Sequence, residues 1–130
     1  MINLEPLAVK AGAEMIGAQP KESENMINKA LMVLAEQGIT AFSLFLASRK
    51  RQQDTQAAEH IHRAVRNLLT SANLGELTAQ LRVDDYKVLT HVQAGESDLS
   101  ALQRLLLTKQ LIETGLTYGR YQAKARAMEV

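Results

Sequence analysis

The histidines are the first place to look for chemistry, and their spacing works against it. His60 and His62 flank Ile61, and side chains two positions apart on a helix point about 200° away from each other, so both cannot ligate one ion. His91 is the only other imidazole, and the chain has no cysteine, which removes thiolate metal sites and disulfides together. Asp84-Asp85 resembles an acidic metal pair, but adjacent carboxylates at a helix start serve capping and the macrodipole instead. Gly115 and Gly119 have the spacing that lets helices approach closely, and the charges around them exclude a membrane dimer. No phosphate-cradling glycine cluster, dinucleotide fingerprint or hydroxyl–imidazole–carboxylate pattern occurs. With aromatics at 4%, raw material for an active site is scarce, and the sequence predicts no catalytic residue, metal or cofactor.

Cations are better organised than catalytic groups. Net charge is only +1, yet residues 49–66 carry Arg49, Lys50, Arg51, Arg63 and Arg66 against Asp54 and Glu59, a local +3. Residues 104–126 carry Arg104, Lys109, Arg120, Lys124 and Arg126 against Glu113, a local +4. Between them, residues 67–103 are acidic at −3, through Glu76, Asp84, Asp85, Glu96 and Asp98 against Arg82 and Lys87. Such segregation suits a basic face that meets a polyanion, with an acidic patch left for another contact. On a helix, Lys109, Arg120 and Lys124 fall within about 60° of one another and form one stripe. Ordinary solvated cations would produce the same stripe.

These charges must be positioned by helices. An aliphatic composition with few strand-favouring aromatics, and apolar spacing at three and four residues with no period-2 alternation, predicts an all-α fold. The expected architecture is one domain over 1–130, a compact bundle of about five to six helices ending in a long C-terminal helix. Residues 1–22 form an N-terminal helix and loop, with Asn3 as cap and Pro6 in the first turn. Residues 23–126 hold the rest of the bundle. Ser23 is a candidate cap for the second helix, Gln37-Gly38 breaks it, and Ile39–Ser48 resumes it. Asp54 and Thr55 are candidate caps for a helix whose apolar stripe is Ala57, Ala58, Ile61, Ala64, Val65, Leu68 and Leu69. Ser71–Gly75 reads as a turn, Glu76–Leu81 as a short helical turn, and Asp84-Asp85 as the start of a helix closed by Gly95. Ser97-Asp98 opens the last helix, which extends to residue 126. Leu99, Leu102, Leu105, Leu106, Ile112 and Leu116 lie on one of its faces and Leu107, Leu111 and Tyr118 nearly opposite, so it is either central in its bundle or packed on another subunit.

Three stretches together resemble the small subunit of the type III-B (Cmr) CRISPR effector complex. They are Leu34–Lys50, with its Gln37-Gly38 break between helices, Asp85-Tyr86-Lys87-Val88-Leu89-Thr90, and Leu106–Ala125, with Lys109-Gln110-Leu111, Leu116, Tyr118, Arg120 and Ala123-Lys124-Ala125. The resemblance runs over most of residues 23–126, while 51–81 carries no marker of it. It implies a non-catalytic helical bundle that stacks with copies of itself beside other effector-complex subunits, its basic face along a guide RNA–target RNA duplex. Carried over by position, the RNA-facing cations are Arg49, Lys50, Lys109, Arg120 and Lys124; Arg51 joins them on charge alone. Phosphate contacts of this kind ignore sequence and weaken with salt, which suits a subunit whose specificity comes from base pairing. The acidic 76–98 region, with Asp84, Asp85 and Glu96, is expected to meet a basic patch of the next copy.

Two rival classes remain. One is a helical adaptor or regulator that dimerises through its C-terminal helix and binds protein or DNA; the other is a small enzyme, disfavoured by the motifs. A helix-turn-helix reader fits 71–94 poorly, because Asp84 and Asp85 would face phosphates. The N-terminus lacks a basic region followed by an apolar run, and no apolar run is long enough to span a bilayer. A cytoplasmic protein without membrane partners is therefore expected.

Overall fold

Every regular element among residues 3–128, the part of the chain described by this computed structural model, is an α-helix. Met1, Ile2, Glu129 and Val130, which the domain assignment includes, lie outside the described residues. The six helices are α1 (Glu5–Glu14), α2 (Pro20–Gln37), α3 (Ile39–Ala47), α4 (Gln52–Ser71), α5 (Val83–Leu89) and α6 (Asp98–Met128). No described helix is long and apolar enough to cross a membrane.

The helix starts depart from the sequence expectation in instructive ways. The capping position of α1 is Leu4, not Asn3, although Asn3 Oδ1, one residue before it, accepts the Glu5 N–H at 3.0 Å. Ser23 does not cap α2, which begins three residues earlier at Pro20, a residue suited to a position whose N–H would be unpaired anyway. Ser23 is instead buried, and its Oγ accepts the Gly17 N–H at 3.0 Å, closing the α1–α2 connection. Asp54 and Thr55 are likewise inside α4, not ahead of it: Asp54 pairs with Arg51 at 3.0 Å, and the Thr55 hydroxyl donates to the Arg49 carbonyl at 3.2 Å. Ser97 Oγ accepts the Ser100 N–H at 3.1 Å and opens α6 as expected. Glu76–Leu81 is not helical. Side chains from elsewhere hold it in an irregular path, Asp85 accepting from the Thr78 hydroxyl at 2.6 Å and Arg66 donating to the Leu77 carbonyl at 3.0 Å.

Gly38 separates α2 from α3 at a φ of +96°, where any Cβ would be strained. α6 lies between α1 and α2. Its contacts with α1 advance together, Leu4 beside Leu107 and Leu111, Ala11 beside Gly115 and Gly12 against Gly119, so the two helices run the same way. α2 runs opposite, with Ile27 beside Gly119 and the Ala35 carbonyl beside Lys109. A Cβ on Gly12 would sit 2.6 Å from the Gly119 nitrogen, so the backbones touch where Gly119 falls in the small-residue spacing. The main core is aliphatic around one aromatic pair, Phe42 and Tyr86, whose rings meet edge to face at 6.0 Å.

One expectation for α6 needs correction. Its buried side is Ala101, Thr108, Leu111, Ile112, Gly115, Leu116, Gly119 and Ala123, whereas Leu99, Leu102, Leu106 and Leu107 are exposed. The leucine face is therefore divided along its length, because α1 and α2 cover the second half of the helix and select its small residues for close approach.

Candidate anion-binding surface

The α3–α4 junction and the Thr55–Arg66 stretch of α4 frame a surface groove of about 600 Å³, closed on its third side by Ala79–Leu81. Its apolar floor includes Leu46, Ala58 and Leu81, and its polar groups include Arg49, Arg63, Arg66, Glu59 and Gln80. Arg49 folds back over the end of α3. Its Nε donates to the Phe45 carbonyl at 3.0 Å, Nη2 donates to Ser48 Oγ at 2.9 Å, and the guanidinium lies 4.1 Å from the Phe45 ring centroid. That placement satisfies the free carbonyls at a helix end and adds a cation–π contact. Arg66 is anchored in the same manner, through Nε to the Leu77 carbonyl. Arg63, one turn before it, is exposed and donates from Nη2 to His60 Nδ1 at 2.8 Å.

That last contact fixes the His60 tautomer. An arginine can only donate, so Nδ1 accepts and the ring hydrogen is on Nε2. Partial burial, reinforced by the Arg63 charge, lowers the His60 pKa below the ordinary imidazole value.

His62 lies below the groove and is structural. Its Nε2 meets the Thr78 carbonyl at 2.9 Å and must donate, so Nδ1 accepts from the Tyr86 hydroxyl at 2.8 Å. Burial pushes the His62 pKa down and holds the Tyr86 hydroxyl well above the usual phenol range. Both imidazole nitrogens are engaged, and the Thr55 hydroxyl bonds a carbonyl. The groove presents the guanidinium groups of Arg49, Arg63 and Arg66 beside the Glu59 carboxylate. Among the described residues, no group of three or more His, Asp or Glu side chains is placed to hold a metal ion.

The six sequence-assigned cations divide by environment. Lys50, Arg120 and Lys124 are exposed. Arg120 stands 6.0 Å from the Tyr121 ring centroid, at the outer limit of a cation–π contact. Arg51 is exposed but paired with Asp54, whose hydrogen bond and charge raise its pKa, with Glu22 at the start of α2 adding to the effect. Arg49 belongs to the groove. Lys109 is half-buried, 3.4 Å from the Ala35 carbonyl and 3.9 Å from Glu113.

The course of the helices says which of these share a region. α6 runs opposite to α2, and the starts of α2 and α4 are adjacent, Gln19, Glu22 and Ser23 facing Gln53, Gln56 and Ala57. The Arg49–Arg51 junction thus lies at the same end of the bundle as Arg120 and Lys124. Lys109, eleven residues earlier in α6, is about 16 Å further along the axis, toward the other end. The three assigned cations of α6 therefore form no compact cluster, although their angular positions agree.

Two charges expected at the surface are used inside the fold. Arg104, counted in the C-terminal basic segment, donates to Glu96 at 2.8 Å and to the Leu89 and His91 carbonyls at 2.9 and 2.8 Å. Glu96 is thereby neutralised within the chain, its pKa lowered chiefly by the Arg104 hydrogen bond, and the expected acidic docking patch loses one member. Asp85 is similarly engaged with Thr78, leaving Asp84 exposed. In the sequence, Arg63 and Arg66 register only as local charge. Their i, i+3 spacing inside a basic segment was the available signal, but the Leu77 carbonyl that orients Arg66 belongs to a different element.

Compared with known proteins, the chain matches no family model, no curated protein and no solved structure.

Proposed function

We propose that this chain is a non-catalytic, RNA-binding small subunit of a type III-B CRISPR effector complex, acting in the cytoplasm in antiviral defence. It contacts the phosphates of a guide RNA–target RNA duplex and packs beside copies of itself and other subunits. What supports the reading is that two basic stretches some seventy residues apart in sequence, Lys50 and Arg51 before α4 and Arg120 and Lys124 in α6, lie toward the same end of the bundle. Lys50 and Lys124 make no ion pair among the described residues, so their charge is available to phosphates. The order and spacing of the three resembling stretches supply the family. Scarcity of exposed aromatics agrees with backbone contacts over base stacking.

Fluorescence anisotropy with labelled RNA duplex, single-stranded RNA and a scrambled sequence tests it. Binding should be weak, indifferent to sequence and steeply salt-dependent. The Lys50→Ala, Arg120→Ala, Lys124→Ala triple variant should bind about tenfold more weakly, with a salt slope smaller by about two. Unchanged affinity and slope in that variant would defeat the reading.

A second reading, an adaptor that dimerises through α6, is favoured by one feature. Leu99, Leu102 and Leu106 are 65%, 52% and 55% exposed along one side of the helix. A dimer that forms without RNA, dissociates on Leu106→Asp and has no affinity for RNA would favour it.

A further inference from the structure

We infer that the α3–α4 groove is a seat for a phosphodiester of a single RNA strand, with Arg49, Arg63 and Arg66 as the clamp. The inference rests on the RNA-binding reading above and gives it a specific site, two of whose three arginines lie outside the resembling stretches.

The strongest support is the way the guanidinium groups are held. Arg49 and Arg66 each use Nε on a main-chain carbonyl at 3.0 Å, which orients the plane and leaves outer nitrogens free. Neither Nη atom of Arg66, and not Nη1 of Arg49, has a hydrogen-bond partner among the described residues. A side chain already anchored has less rotamer freedom to lose when a ligand arrives, and a planar fork suits a phosphate's paired oxygens.

Charge points the same way. Elsewhere in the molecule, Arg104, held by several bonds, has Glu96 as its carboxylate, and Arg51, held by one, has Asp54. Among the described residues, no carboxylate lies within 4.0 Å of the three groove arginines. Glu59 lines the groove without an ion pair among the described residues, so three guanidinium groups stand against one carboxylate there.

A strand fits better than a small phosphate. The groove is far larger than one phosphate group, and its Leu46, Ala58 and Leu81 floor can take the apolar side of a sugar or base. Exposed Lys50 follows Arg49 directly, so the positive track continues out of the groove. A polymer uses such a continuation, whereas a lone anion does not.

Glu59 provides a sharp test because it opposes the ligand. A labelled oligouridylate is titrated into the intact protein at fixed salt and followed by anisotropy, with melting curves as a fold control. Glu59→Gln should tighten binding about threefold, and Arg63→Glu, at an exposed position, should weaken it about tenfold. Because Arg66 also anchors Leu77, it is tested as Arg66→Lys, which retains charge but lacks the fork; a fewfold loss with an unchanged salt slope is expected. If Glu59→Gln and Arg63→Glu leave affinity unaltered while the Lys50, Arg120, Lys124 variant loses it, RNA binding stands and the groove assignment is overturned. If the wild type binds no RNA, the reading in the preceding section fails, and inorganic phosphate is titrated with NMR detection. Shifts confined to the groove arginines would then mark a small-phosphate site and overturn the strand as ligand; no shifts would overturn the site itself.

Discussion

α4 and α6 are the two longest helices, and their apolar side chains meet different fates. In α4 the stripe from Ala57 to Leu69 is one-sided, and all seven of its residues are buried. In α6 apolar residues occur on two sides, and four leucines of its first half face outward. A one-sided stripe leaves one way to hide apolar surface, so the local pattern determines burial. A two-sided helix leaves the choice to its neighbours. α1 and α2 bury Leu111, Ile112 and Leu116 together with Thr108, Gly115, Gly119 and Ala123, the glycine at 119 letting the α1 and α6 backbones meet. The outward leucines of α6 thus form the apolar surface available to a partner, while the outer edge of α4 carries Arg63 and Arg66.

The contrast predicts unequal costs for similar deletions. Ile61→Ala in α4, at a position with no exposure, should cost about 2–5 kcal/mol in chemical denaturation, through lost burial and the cavity left behind. A value below 1 kcal/mol would mean that α4 is not the tightly packed helix described.

A middle-sized effect concerns His62, on the same buried side. Its pKa is lowered in the folded chain, so below the ordinary imidazole value of 6.5 the unfolded chain takes up a proton first. Stability should therefore fall as pH drops through that value, and His62→Gln should show a flatter profile in the same urea titrations. A parallel loss in wild type and variant would assign the pH dependence to other groups.

The smallest change is expected at Leu106→Ala in α6, within about 0.5 kcal/mol for the monomer, because the side chain is 55% exposed. Any larger loss that grows with protein concentration, read by sedimentation equilibrium, would reveal a self-contact across these leucines.

The candidate site was legible in part. Arg49, Lys50 and Arg51 stand out as a basic run at a helix end, and a run is visible without a fold. Arg63 and Arg66 do not stand out, because what distinguishes them is a bond to a carbonyl eleven residues from Arg66 and the absence of nearby carboxylates. Arg104 shows the converse. It reads as one more surface cation, yet two carbonyls and Glu96 enclose it. The Glu76–Leu81 stretch departs from its helical reading for the same reason: its helix-compatible residues are held in another conformation by Asp85 and Arg66.

By itself the sequence determined the helical class, the break at Gly38, the buried stripe of α4 and the long final helix. Each depends on backbone preferences and on apolar spacing within a few turns, forces that act between near neighbours in the chain. Only the tertiary structure decided which side of α6 is covered, which cations are neutralised, and that the Arg49–Arg51 junction shares an end of the bundle with Arg120 and Lys124. Those outcomes depend on helix direction and on partners many residues away, and electrostatic and packing energies follow distance in space, not separation along the chain.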